Sequence, residues 1–242
     1  MPRRLPFMVL AACLLASAAL AQAPTAPTPP KLRILRPGDW WEYTSGTVLK
    51  VQERQVKLTE TRRVRILADR KTSPKGVSCL VMSIDSITEG LGPSHESHSE
   101  ALFVQDADGS FVVHGRLRSD DDKIQWIEEP SRGWVIDVKS PFTVGTTWSD
   151  TYKMSDGTTG DQTTTILKEG GLEVPAGTFQ TYRSYSQVSE SDGLRVCSMD
   201  WYSPRLGTTV CTMAVVKTGD GMTVVTSEVL KRYGLVPDAE AK

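Results

Sequence analysis

Beyond an apolar leader, the chain alternates apolar and polar positions instead of spacing them helically. From Gln55 to Leu67, Val56, Leu58, Val64 and Ile66 fall on one side with charged or polar residues between them, the period-two signature of a half-buried strand. Cys79 to Ile84, Ile124 to Ile127, Trp134 to Val138, Thr163 to Leu167, Met213 to Lys217 and Met222 to Leu230 are further strand candidates. The pairs Asp108-Gly109, Asp156-Gly157, Asp192-Gly193 and Asp220-Gly221 punctuate them, and Asp-Gly suits hairpin turns because glycine reaches positive φ at little cost. No segment past the leader keeps an apolar stripe at helical spacing.

The pattern is written twice, about a hundred residues apart. Gly38-Asp39-Trp40-Trp41-Glu42-Tyr43 has a counterpart in Gly145-Thr146-Thr147-Trp148-Ser149-Asp150-Thr151-Tyr152, Gly76 to Val81 in Gly177 to Tyr182, and Asp108 to Val113 in Leu206 to Cys211. Consecutive strands joined by short turns predict an antiparallel meander, and so many strands curl. The expected fold is therefore mainly β, a curved antiparallel sheet or half-barrel built from two sequential β-repeats, with little helix outside the leader. The expected organisation is a signal peptide at 1–21, a linker at 22–31, a first β-repeat at 32–140, a second at 141–236 and a polar tail at 237–242.

The leader sets the compartment. Arg3 and Arg4 form a basic head, Leu5 to Leu20 is apolar and small, and Ala19-Leu20-Ala21 fits a small-x-small cleavage site. Cleavage after Ala21 implies a periplasmic or secreted protein. The alternative is a lipoprotein, since Leu10-Ala11-Ala12-Cys13 would place a lipid on Cys13. The prolines of Gln22 to Lys31 lack donors and fix φ, which makes that stretch an extended spacer. No later stretch reaches the length of about 18 apolar residues that spans a bilayer as a helix. The formal net charge is −1, or −3 once Arg3 and Arg4 are removed. Such a chain gives no electrostatic case for nucleic acid, and no basic stripe interleaves with aromatics.

Trp148, Val174-Pro175-Ala176-Gly177-Thr178-Phe179 and Trp201-Tyr202-Ser203-Pro204 with Gly207 together resemble the pattern of an uncharacterised TapB-like family of secreted bacterial proteins. The resemblance covers residues 141 to 233, and the first half departs from it: Ala101-Leu102-Phe103-Val104 stands where the family has its Trp-Tyr-x-Pro turn. It implies a curved antiparallel sheet similar to the half-barrels of periplasmic lipoprotein carriers, and no activity. The hairpin also makes sense residue by residue, because Pro175 presets φ and Ala176 and Gly177 reverse the chain cheaply.

With Cys13 removed, Cys79, Cys197 and Cys211 remain, an odd number for an oxidising compartment. Cys197 and Cys211 flank Pro204 symmetrically, so a hairpin centred there would set them opposite one another in a disulfide. Cys79, between Val77 and Val81, reads as a buried filler. His95 and His98 with Glu96 and Glu100 are weak candidates for a metal set, in a Gly/Pro/Ser-containing stretch that reads as an exposed loop; no metal or cofactor is expected. Asp120-Asp121-Asp122 reads as a solvated loop. No nucleophile elbow, zinc-protease helix or phosphate loop is present in the sequence, so the expectation is a non-catalytic protein. Two readings stay open. A concave face holds an apolar ligand such as an acyl chain, lined by Trp41, Trp126, Trp134, Trp148 and Trp201, or an edge or convex face docks an envelope protein.

Overall fold

A computed structural model describes residues 29–51, 54–90, 92–117, 123–129 and 136–237. The leader with Cys13 and Ala21, most of the linker, the run 120–122, Trp134 and all but the first residue of the polar tail lie outside them. The described residues hold no helix. Alternation carries the chain through β1 (Trp40–Val51), β2 (Arg54–Thr72), β3 (Ser78–Glu89), β4 (His95–Gln105), β5 (Phe111–Leu117) and β6 (Gln125–Glu129). After the short β7 (Ile136–Val138) come β8 (Thr147–Met154), β9 (Thr159–Val174), β10 (Gly177–Glu190), β11 (Arg195–Ser203), β12 (Thr208–Lys217) and β13 (Thr223–Gly234). The Asp-Gly turns are alike: the Asp side chain accepts the N–H two residues on, as in Asp108 with Ser110 and Asp156 with Thr158, both at 2.9 Å.

The sheet is closed, which corrects the expected open sheet or half-barrel. Every strand except β7 pairs on both sides in a single antiparallel ring of twelve, with the first strand meeting the last. β1 pairs with β13 from Trp40↔Gly234 to Lys50↔Thr223 while its other edge pairs with β2 from Trp40↔Arg65 to Val51↔Arg54. Closure satisfies the backbone groups that an open sheet would leave at its first and last strands. The seam between the halves is short: β6 meets β5 at Gly115↔Trp126 and Arg116↔Gln125, and β8 at Ile127↔Met154 and Glu129↔Lys153. β7 lies beside the other end of β5, at Phe111↔Val138.

The runs β1 to β6 and β8 to β13 are halves of that one ring, not separate units. Their openings make matching bonds. Gly38 N–H donates to Ile66 O and Ile66 N–H to Asp39 O, both at 2.9 Å; Gly145 N–H donates to Ile166 O at 2.8 Å and Ile166 N–H to Thr146 O at 2.9 Å.

One end of the barrel is plugged by apolar residues. Leu32 and Leu35, ahead of β1, are buried under the turns that carry Gly109 and Gly207; a Cβ on those glycines would lie 2.3 Å from Leu32 Cβ and 2.7 Å from Leu35 Cδ2. Phe142 enters from the β7–β8 connection and packs against Tyr202, Tyr182 and Trp148 at ring separations of 5.0, 5.4 and 6.3 Å. Asp39 ties the entry to the exit of the chain, since its carboxylate meets Arg33 Nη2 at 3.0 Å and accepts the Val236 N–H at 2.7 Å. A smaller cluster of Cys79, Val81 and Leu102 sits on the face of β3 opposite Met82.

Candidate functional site

Above the plug, the interior holds a cavity of about 340 Å3, within the range of small-molecule sites. Side chains alternate across each strand, so each strand offers the cavity every second residue. β2 and β3 contribute Val64, Met82 and Ile84; β9, β10 and β11 contribute Gln162, Thr164, Ser184, Ser186 and Asp200. Val138 and Phe142 form its floor with Trp41 and Tyr202 beside them. The lining is therefore mixed, with apolar side chains on one side and hydroxyls and carboxylates on the other.

The polar groups support one another. Asp200 accepts Ser198 Oγ at 2.6 Å and Thr212 Oγ1 at 2.8 Å. Burial nevertheless pushes its carboxyl above the ordinary aspartate range, since taking a carboxylate out of water favours its neutral form. Glu228 on β13 is ion-paired with Arg62 on β2. Its carboxyl is also raised, by burial first and then by the neighbouring Glu60 and Asp200 charges, against the pull of Arg62. The Arg62 guanidinium lies 5.1 Å from the Tyr43 ring centre, and the Tyr43 hydroxyl is 2.8 Å from Thr208 Oγ1. Thr164 Oγ1 and Ser186 Oγ are 2.9 Å apart. The Arg62 side chain keeps 33% of its area exposed, so the charged side of the cavity reaches solvent.

Of the four described tryptophans among the five expected at a ligand site, only Trp41 lines this cavity. Trp148 is buried in the surrounding core beside Phe142. Trp126 packs against the cluster of Cys79, Val81 and Leu102 and closely over Gly115. Trp201 shares a face with Arg183, opposite Asp200 and Tyr202, and lines an outer groove with Lys168, Gly170 and Gly171. Trp134 lies outside the described residues.

The expected Cys197–Cys211 disulfide is not formed, and Cys79, Cys197 and Cys211 are all free. The turn between β11 and β12 is centred past Pro204, so Cys197 pairs with Val215 and Cys211 with Trp201. Cys79 is fully buried, and burial raises its thiol pKa. The stretch read as a loop around His95 and His98 is strand β4. Three residues apart on a strand, the two imidazoles face opposite sides; His98 instead places Nδ1 2.8 Å from Asp85 Oδ1.

The residues that define the cavity's charge, Arg62, Asp200 and Glu228, were not singled out by sequence reasoning, which looked for aromatics on a concave face. The available signal was alternation itself: Ser198, Asp200 and Tyr202 share one face of β11, but without the structure the apolar set Met199 and Trp201 is the natural inward choice.

No protein-family model matches the chain and no curated protein matches its sequence, so the TapB-like resemblance gains no support there. Two solved structures are similar over most of their length. One is a candidate lipoprotein from Parabacteroides distasonis, with 11% identity, coverage of 82% of this chain and 96% of the other, and a TM-score of 0.37. The other is a candidate exported protein with a YmcC-like fold from Bacteroides fragilis, with 9% identity, coverage of 84% and 98%, and a TM-score of 0.40.

Proposed function

We propose that this is an exported, non-catalytic binding protein that carries a small amphipathic ligand inside its barrel. The cavity carries this reading: a space of about 340 Å3 joined to solvent near Arg62, with an apolar side and a polar side. A ligand apolar throughout would strip water from Asp200 and Glu228, and taking charged groups out of water costs free energy. Export rests on the leader sequence. The outer wall carries Arg63, Arg65, Asp85 and Arg232 around one part of the ring, where a lipid-facing barrel would carry an apolar band.

The test is native mass spectrometry of Gln22 to Lys242 purified without detergent. A discrete added mass that leaves on denaturation is the expected result. A clean apo mass, with no binding of amphipathic probes added afterwards, overturns the reading. One observation favours a second reading, docking of an envelope protein: Met213, Val215 and Val225 stand exposed on neighbouring strands of the outer face, Val215 directly opposite Val225.

A further inference from the structure

The matching halves of the ring allow the cavity walls to be compared position by position. In the first half Trp41 pairs with Val64, Val64 with Ile84, Ile66 with Met82, and Met82 with Ala101. In the second half Trp148 pairs with Thr164, Thr164 with Ser186, Ile166 with Ser184, and Ser184 with Asp200. Thr164 thus stands where the other half has Val64, Ser186 where it has Ile84, Ser184 where it has Met82, and Asp200 where it has Ala101. Four matched positions change in one direction, from apolar to hydrogen-bonding, and all eight residues line the cavity. At these four positions the wall is apolar in the first half and hydrogen-bonding in the second, and the first half adds Tyr43 and Arg62 beside Glu228.

Charge sharpens the comparison. Among the described residues that line the cavity, the carboxylates and cations are Asp200, Glu228 and Arg62, two carboxylates against one guanidinium, and that guanidinium is already engaged by Glu228. Among the described residues, Asp200 holds only hydroxyl partners, Ser198 and Thr212. An incoming carboxylate would meet two like charges while Arg62 is occupied by Glu228. An incoming ammonium would give Asp200 its missing counter-charge, and its further donors would face Ser184, which pairs with Asp200 in register.

We infer that the ligand is a small apolar amine, with its hydrocarbon body along Val64, Met82 and Ile84 and its ammonium group on Asp200. This inference rests on the carrier reading above. It is tested by titration calorimetry at about pH 7, where alkylamines and alkanoates are both ionised, with n-octylamine, n-octanol and n-octanoate, equal in chain and different in head. Octylamine is expected to bind about tenfold more tightly than either of the others. Asp200→Asn is expected to remove most of the preference of octylamine over octanol, and Glu228→Gln, a second variant, to reduce it in the same direction. Circular dichroism of each variant establishes that the barrel is intact. Octanoate or octanol binding as tightly as octylamine, or an amine preference that survives in Asp200→Asn, overturns the amine assignment and leaves the carrier reading standing. Failure of all three probes to bind overturns both.

Discussion

Ala101 on β4 and Asp200 on β11 hold the same place in the two halves of the barrel, the first paired with Met82 and the second with Ser184. One is a methyl group on an apolar wall, the other a carboxyl group that burial has raised above its ordinary range. A carboxyl raised on folding favours the folded state most when protonated. The contribution of Asp200 to stability is therefore greatest below the ordinary aspartate value of 3.8 and falls as pH rises from there through the raised value. Asp200→Asn removes that dependence. Its melting temperature should match wild type in acid and exceed it by a few degrees at neutral pH, where a change of about 1 kcal/mol corresponds to about 2–4 °C in a domain of this size. Melting curves across pH check this; parallel pH profiles for the two proteins would contradict it.

Much of the ladder was legible in the sequence because its signals are local. The Asp-Gly turns fall where glycine is needed, and Pro175-Ala176 makes the tight link between Val174 and Gly177. Closure was not legible, because it depends on Trp40 meeting Gly234 across nearly the whole chain, and no local pattern encodes that pairing. The face of β12 was also misleading. Its apolar set Met213 and Val215 points outward, 55% and 38% exposed, while Thr212 faces the cavity. Alternation reports that a strand has two faces and not which of them is inside. A barrel with a polar cavity wall reverses the usual assignment, and the same reversal hid Asp200.

The plug predicts a graded cost for two glycines. Gly109 and Gly76 both have positive φ, at 86° and 80°. A Cβ on Gly109 would meet Leu32 Cβ at 2.3 Å, whereas one on Gly76 would meet nothing within 4 Å. Gly76→Ala should cost only backbone strain, about 1 kcal/mol. Gly109→Ala adds displacement of Leu32 from the barrel end and should cost roughly 2–4 kcal/mol in all. Urea unfolding measures both, and equal losses would mean that Leu32 does not hold the plug in place.

Thiol chemistry separates the three cysteines. Cys197 is exposed, Cys211 is partly buried with its pKa raised by burial and by Asp200, and Cys79 is buried completely. Because thiolate and access together set the rate, a maleimide applied to the native protein should modify Cys197 first, Cys211 slowly, and Cys79 only after unfolding. Peptide mapping with time reads the order. The intact mass of protein prepared without reductant should show all three as thiols, and a deficit of two hydrogens would mean that the register of β11 on β12 is not the one described.

Glu42 supplies a pH dependence of the opposite sign. It is held between Arg63 Nη2 at 2.8 Å and Arg232 Nη2 at 2.6 Å, and the hydrogen bonds from Arg63 and then Arg232 lower its carboxyl below the usual glutamate value of 4.5. A carboxyl lowered on folding stabilises the fold above its ordinary value, and that contribution is lost as pH falls through the lowered one. Glu42→Gln should therefore be less stable than wild type at neutral pH, with the two converging in acid. The arginine side chains are 46% and 64% exposed, so solvent screens the pair and the neutral-pH loss should be about 1 kcal/mol, not the larger cost of breaking a fully buried bridge. Denaturation midpoints from neutral to acid pH, repeated at high salt, test the assignment. A loss that persists undiminished in acid would place the effect of Glu42 in packing and not in its charge.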